Sequence, residues 1–217
     1  MIDLVIASHN QGKALDLARL FEGSPTGLGF ASELGIPDVE ETGKSFEENA
    51  ILKAVHANSR LAYPALGDDS GLCIPSWNNK PGIHTKRFAM SKGGWTEGIL
   101  ALKPFAMQGV PARLYCALAI AWSSTEVISV LGHVDGHLAW PPRGRHGFGF
   151  DPIFCLEPNG TRFAELPTVE REKINHRNHA FQLLKEHVNI NTDGRLVRTI
   201  SANNLHRKCH GKIKLKA

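Results

Sequence analysis

Residues 2–7, IDLVIA, form an unbroken run rich in β-branched side chains, and the chain turns at once into the polar stretch Ser8-His9-Asn10-Gln11-Gly12-Lys13. Beyond it, Leu15, Leu17, Ala18, Leu20 and Phe21 recur at roughly helical spacing. A buried strand, a polar turn and an amphipathic helix in succession point to helices packed on a sheet. The turn lies where main-chain N–H groups at a helix start can hold an anion. Asp3 and the lack of a basic leader region make the opening run a strand rather than a secretory signal.

The same alternation continues. Residues 23–44 are rich in Gly, Pro and Glu and read as loops with one short strand near Phe30. Ser45-Phe46-Glu47-Glu48 fits a capping box and opens a helix to about Leu61, which Tyr63-Pro64 ends. Ala65 to Ser76 reads as a strand–turn–strand unit with Asp68-Asp69-Ser70-Gly71 at its centre. Residues 77–95 read as loops or a broken helix, and Thr96 to Leu102 as a helix. Leu114 to Trp122 and Thr125 to Val134 read as an antiparallel pair. Pro141 to Pro152 is a long loop, and Val169 to His187 reads as one helix. Some connections cross over and others are hairpins, so the expected class is α/β with a mixed sheet.

Hydrophobic residues make up 42% of the 217 and charged ones 21%, which excludes a mostly disordered chain, a collagen and a small disulfide scaffold. The longest nearly apolar run, Cys116 to Trp122, is far short of the ~20 residues that cross a bilayer, so no membrane partner is expected. Cys73, Cys116, Cys155 and Cys209 are irregularly spaced with no CxxC, which fits reduced thiols in a cytoplasm. The formal charge of +4 conceals an asymmetry. Residues 194–217 hold seven basic side chains and no acidic one, while residues 1–193 hold 18 basic and 21 acidic. The expected organisation is a mildly acidic body, 1–188, and a basic tail, 189–217, which is either a solvated terminus or an arm for acidic partners.

Five clusters carry chemistry-bearing side chains. Ser8 to Lys13 offers a hydroxyl, an amide, a glycine and a lysine for a phosphate, or forms an ordinary strand–helix turn. Glu40 and Glu41 lie in a glycine-bearing loop where a carboxylate can hold Mg²⁺, and Asn49 and Lys53 share one face of the following helix. Asp68 and Asp69 repel each other unless solvated or bound to a cation; an Asx-type turn is the alternative. Gly147-Phe148-Gly149-Phe150-Asp151 suits a flat ligand stacked on one ring, the other ring entering the core, with Asp151 accepting from a base N–H. Glu172, Lys173, Asn175, His176 and Arg177 offer donors for oxo groups, or a solvated helix face.

The order of these clusters resembles the inosine triphosphate pyrophosphatase family (XTP/dITP diphosphatases). The matching stretches are SHNQGK at 8–13, EETGKSFEENAILKA at 40–54, DDSGL at 68–72, PGIHTKRFA at 81–89, PRGRHGFGFDPIF at 142–154, FAEL at 163–166 and EKINHR at 172–177. The resemblance implies a two-lobed body with a central nucleotide cleft, and Mg²⁺-dependent hydrolysis of ITP, dITP and XTP to the monophosphate and pyrophosphate. By the same resemblance, Ser8, His9, Asn10, Gln11, Gly12 and Lys13 form the phosphate-binding loop and Lys53 lies near the phosphates. Glu40, Glu41, Asp68 and Asp69 form the metal site, Asp69 also serves as general base, and Ser70 contacts the substrate. Phe148, Gly149, Phe150, Asp151, Lys173, His176 and Arg177 then match base-recognition positions. A homodimer is also implied, and a two-fold dimer is the commonest oligomer in general.

The chain departs from the family at several points. Ser8 and His9 stand where Thr and Gly are usual, Asn175 where Ser is usual, and Thr85-Lys86-Arg87 replaces Ser-Ala-Arg. Two further readings compete. One is a pyrophosphatase acting on pyrimidine or other modified nucleotides. The other is a nucleic-acid-binding module built on the tail with Arg143 and Arg145, against which the acidic body argues.

Overall fold

A computed structural model describes residues 1–158 and 160–199. The strands are β1 (Leu4–Ile6), β2 (Leu28–Phe30), β3 (Ala65–Ile74), β4 (Lys80–Pro81), β5 (Pro111–Ala121), β6 (Val127–Leu138), β7 (Phe154–Cys155), β8 (Val188–Ile190) and β9 (Leu196–Arg198). The helices are α1 (Gln11–Arg19), α2 (Phe46–Leu61), α3 (Thr85–Ser91), α4 (Trp95–Ala101), α5 (Lys103–Met107), α6 (Thr168–Ile174) and α7 (His176–Lys185). The main sheet runs β2-β1-β3-β5-β6-β7, with β4 also on β3. β1 pairs in parallel with β2 and β3, while β3, β5, β6 and β7 are antiparallel, so the sheet is mixed as expected.

Alternation along β5 decides how helices cover this sheet. Cys116, Leu118 and Ile120 face one side and pack with Leu17 of α1 and Phe181 and Leu184 of α7. Ala117, Ala119 and Ala121 face the other and pack with Phe46, Ala50 and Ala54 of α2. Small side chains on both partners let α2 lie close to the sheet. Gly67 permits the closest approach: a Cβ there would collide with the Ala50 carbonyl. Ser45 caps α2 by accepting from Glu48 N–H at 3.1 Å, as the sequence predicts, and Glu48 reaches back to Lys44 N–H at 2.7 Å.

The far ends of β3, β5 and β6 carry a second lobe. There Leu72, Ile74, Leu114 and Leu138 pack with Ala89, Leu102, Phe150, Phe154 and Phe163. At the other end, the β8–β9 hairpin closes the body. Val188 and Leu196 are buried against the main core, and the Trp122 indole N–H donates to the Leu196 carbonyl at 3.2 Å. The expected tail boundary at 188/189 therefore falls inside a hairpin packed on the body. The basic side chains from Arg207 onward, and Cys209, lie outside the described residues.

Two expectations are corrected. Ala65 to Ser76 is not a strand–turn–strand unit: β3 is continuous through Asp68 and Asp69, paired with β5 from Ala65 to Cys73. No Asx turn is needed, because lysines on neighbouring helices neutralise the acidic pair. Val169 to His187 is not one helix either. Extended Asn175 divides α6 from α7 and caps α7 by accepting from Asn178 N–H at 2.8 Å. Asn is among the residues that cap helices best. Among the described residues, no helix is long and apolar enough to cross a membrane.

Candidate active site

An opening in the sheet makes the site. One edge of β3 is fully paired with β5, but its other edge meets β1 only at Ala65 and Leu66 and β4 only at Cys73 and Ile74. Residues 67–72 have no strand on that side. Their exposed main-chain groups must find other partners. Lys53 Nζ donates to the Asp68 carbonyl at 2.9 Å, Leu72 N–H donates to Thr85 Oγ1 at 2.9 Å, and Ser70 N–H donates to Asp69 Oδ1 at 3.0 Å.

Side chains on a strand alternate between faces, so the adjacent aspartates serve different helices. Asp68 meets Lys13 of α1, Nζ to Oδ2 3.1 Å. Asn10 caps α1 and accepts from Lys13 N–H, which fixes the turn that carries the lysine. Asp69 meets α2: Asn49 Nδ2 donates to its Oδ2 at 3.0 Å, and Lys53 Nζ lies 3.9 Å from its Oδ1. Glu41 Oε1 lies 2.5 Å from the same Lys53 Nζ.

Burial and charge drive the two aspartates apart. Burial pushes the Asp68 carboxyl up, but Lys13, Lys53 and Arg177 outweigh it and hold the group at about 2. For Asp69 burial prevails over Lys53, Lys13 and the Asn49 hydrogen bond, and the carboxyl is pushed up to about 6. Lys53 is half-buried, which opposes its charge, yet Asp68, Asp69 and Glu41 raise its pKa.

The opposite wall is aromatic. Phe148 lines the cleft, with the Arg177 guanidinium carbon 5.6 Å from its ring centre. The Phe150 ring enters the second-lobe core, edge-on to Trp95 at 5.5 Å, so one ring of the pair is structural. Asp151 Oδ2 accepts from Phe148 N–H at 3.1 Å and pairs with Arg171 at 3.3 Å. Burial pushes its carboxyl up to about 6 against the pull of Arg171. Gly147, at φ +74°, makes room for that carboxylate, which a Cβ would strike. His176 lines the cleft with Nδ1 buried and unpartnered; burial, Arg177 and Lys13 hold its pKa well below the usual value, so the ring is neutral. Arg177 is 1% exposed, ion-paired to Asp16 at 3.1 Å, with Nε and Nη2 buried and without a hydrogen-bond partner.

The structure therefore brings Ser8, His9, Asn10, Lys13, Glu41, Lys53, Asp68, Asp69, Ser70, Phe148 to Asp151 and His176 to one cleft, with the Arg177 guanidinium next to the Phe148 ring but not itself in the lining. It leaves Glu40, Gln11, Gly12 and Lys173 exposed and outside the lining. The sequence reading missed Arg171 and Asp16, the partners of Asp151 and Arg177, and left Asn49 without its contact to Asp69. Only Asn49 carried a signal, its four-residue offset from Lys53.

Residues 4–187 match the Ham1 family. The chain belongs to it. This Ham1 chain is 40% identical over 194 residues to a Geobacillus kaustophilus protein named dITP/XTP pyrophosphatase, spanning 86% of this chain and 94% of that one. It is 38% identical over 188 residues to a Zymomonas mobilis protein of the same name, spanning 83% and 89%. Among solved structures, a HAM1 protein from Coxiella burnetii superposes with TM-score 0.74 at 35% identity, spanning 86% of this Ham1 chain and 98% of that one. The Staphylococcus aureus Ham1 protein does so with TM-score 0.73 at 34% identity, spanning 84% and 96%.

A divalent cation can be weighed against the donors present. Among the described residues, no three His, Cys, Asp or Glu side chains form a closed cation cage. Asp68 also lines the cleft, but both its carboxylate oxygens are sealed from solvent; Glu41 and Asp69 line the same cleft and both approach Lys53. Mg²⁺ takes one or two carboxylates together with substrate phosphates, so this pair of hard oxygen donors suits it.

Proposed function

We propose that this chain hydrolyses ITP, dITP and XTP to the nucleoside monophosphate and pyrophosphate with Mg²⁺ as cofactor, and so cleanses the nucleotide pool. The observation that carries the reading is the convergence of Lys13 and Lys53 on Asp68, Asp69 and Glu41 at the opening beside β3. The dITP/XTP pyrophosphatase names of its relatives support it.

Lys13, with Ser8 and Asn10, binds the triphosphate at the start of α1, where the helix N-terminus favours negative charge. Lys53 adds a second cation as pyrophosphate departs, which is electrostatic work in a partly dry site. Asp69, held by Asn49 and the Ser70 N–H, accepts the proton of the water attacking the α-phosphorus. Mg²⁺ held by Glu41 and Asp69 would supply positive charge beside the phosphoryl oxygens. Asp68 keeps Lys13 in place.

The base lies against Phe148. Neutral His176 and the unpartnered N–H groups of Arg177 supply donors for a 6-oxo group. An adenine amino group would face donors with a donor, and a mismatch of that kind can cost about 10⁴-fold. The protein works as a homodimer in the cytoplasm, and light scattering and cell fractionation test those two points.

The deciding experiment is pyrophosphate release from ITP, dITP, XTP, ATP and GTP with and without Mg²⁺. Release from the first three, dependent on the metal and far above that from ATP, is expected. Equal turnover of ATP, or salt-dependent DNA retention with no turnover of any nucleotide, overturns the reading.

A further inference from the structure

Glu41 sits in a segment that no regular structure holds. Among the described residues, 37–44 belong to no helix or strand and make no hydrogen bond from main chain to main chain. Side chains from elsewhere do the holding. Arg87 Nη2 donates to the Glu41 carbonyl at 2.6 Å, and Asn49 Oδ1 accepts from Gly43 N–H at 2.8 Å. Upstream, two histidines take consecutive carbonyls: His9 Nε2 meets Ile36 O at 2.7 Å and His56 Nε2 meets Pro37 O at 3.1 Å. A carbonyl only accepts, so both ring nitrogens carry hydrogen. The other nitrogen of His9, Nδ1, lies 3.4 Å from Asp38 Oδ1.

A glycine at position 9 would leave Ile36 O and Asp38 without these contacts. We propose that His9 is a positioning residue that ties the phosphate-binding turn to the 36–38 segment and, with His56, sets the place of Glu41 opposite Lys53. This rests on the reading of the cleft given above, and the test separates the two. His9 does not touch the reacting atoms in this scheme. It joins the piece of chain that grips phosphate to the piece that carries a carboxylate, so that both keep one spacing.

The experiment compares the full-length chain with His9→Gly and His9→Gln, the second keeping an N–H donor at about the position of Nε2. Hydrogen exchange of the nucleotide-free proteins is the first readout. In His9→Gly, the two hydrogen-bonded amides of 37–43, Val39 and Gly43, are expected to exchange about tenfold faster, the loss of one part-buried hydrogen bond, while β1 and β3 keep their protection. His9→Gln is expected to restore most of it. Steady-state kinetics on dITP is the second readout: kcat falls about tenfold in His9→Gly with KM within about twofold, and recovers in His9→Gln. Unchanged exchange at Val39 and Gly43 in His9→Gly overturns the proposal. So does a rise in KM alone, which makes His9 a phosphate ligand instead. If the wild-type protein hydrolyses no nucleotide, the cleft reading falls, and the exchange result still decides whether His9 holds the segment.

Discussion

Asn49 Nδ2 donates to Asp69 Oδ2 across 3.0 Å while its own Oδ1 accepts from Gly43 N–H at 2.8 Å. One buried amide thereby fixes both the carboxylate and the end of the Glu41 segment. Asn49→Ala is expected to lower kcat on dITP about 10- to 100-fold, since a misplaced general base loses much of its 10²–10⁴-fold contribution. Steady-state kinetics checks this, and wild-type kcat would remove Asn49 from the machinery.

Asp69→Asn keeps the shape and removes the proposed base. Mg²⁺-dependent pyrophosphate release is expected to fall by about 10²–10⁴. Circular dichroism should show the fold intact, and a variant with wild-type turnover would remove Asp69 as base.

Asp151 gives a pH signature in stability. Its carboxyl is held at about 6 in the fold, against about 3.9 in an unfolded chain. Between those values the native state keeps a proton that the unfolded state has lost, so this group's contribution falls as pH rises through the window. Asp151→Asn removes that slope. Urea denaturation from about pH 4 to about pH 6.5 should give a flatter curve for the variant than for wild type, and parallel curves would contradict the assignment.

Gly67→Ala tests the contact between α2 and β3. A methyl group there meets the Ala50 carbonyl and the Ala54 amide, both main chain of a packed helix. Overpacking of this kind costs about 1–3 kcal/mol. Denaturant unfolding should show that loss, with turnover lowered because Asn49 and Lys53 move with the helix. Wild-type stability would mean that α2 shifts freely.

Arg177→Ala leaves Asp16 buried beside Arg19 alone and removes a cation above Phe148. Breaking such a pair costs about 3–5 kcal/mol. Discrimination between dITP and ATP should weaken in the same variant, as competition kinetics can measure. Unchanged kinetics on both nucleotides would refute its part in base choice.

Local signals told most where one residue decides an outcome. Ser45 announced the α2 cap, the IDLVIA run announced β1, and Lys13 and the Asp68-Asp69 pair fall in the cleft that the motifs implied. The reading failed where distant partners overrule local chemistry. Two aspartates look like a turn until Lys13 and Lys53, on two different helices, make a continuous strand tolerable. Asn175 looks like a mid-helix residue until its side chain caps the next helix. Glu40 and Glu41 were equivalent in sequence, and only Lys53 and Arg87 single out Glu41. Arg171 and Asp16 were invisible because nothing local links them to Asp151 and Arg177.

The three residues of β1 have a consequence for how such a chain can change. Had that strand run two or three residues further beside β3, its amides would have zipped onto Asp68 and Ser70 and sealed the reaction chamber with ordinary ladder bonds. Short insertions at the β1–α1 junction should therefore be far less tolerated than insertions of equal length in the Ser123–Thr125 turn, since they threaten the vacancy itself rather than its lining.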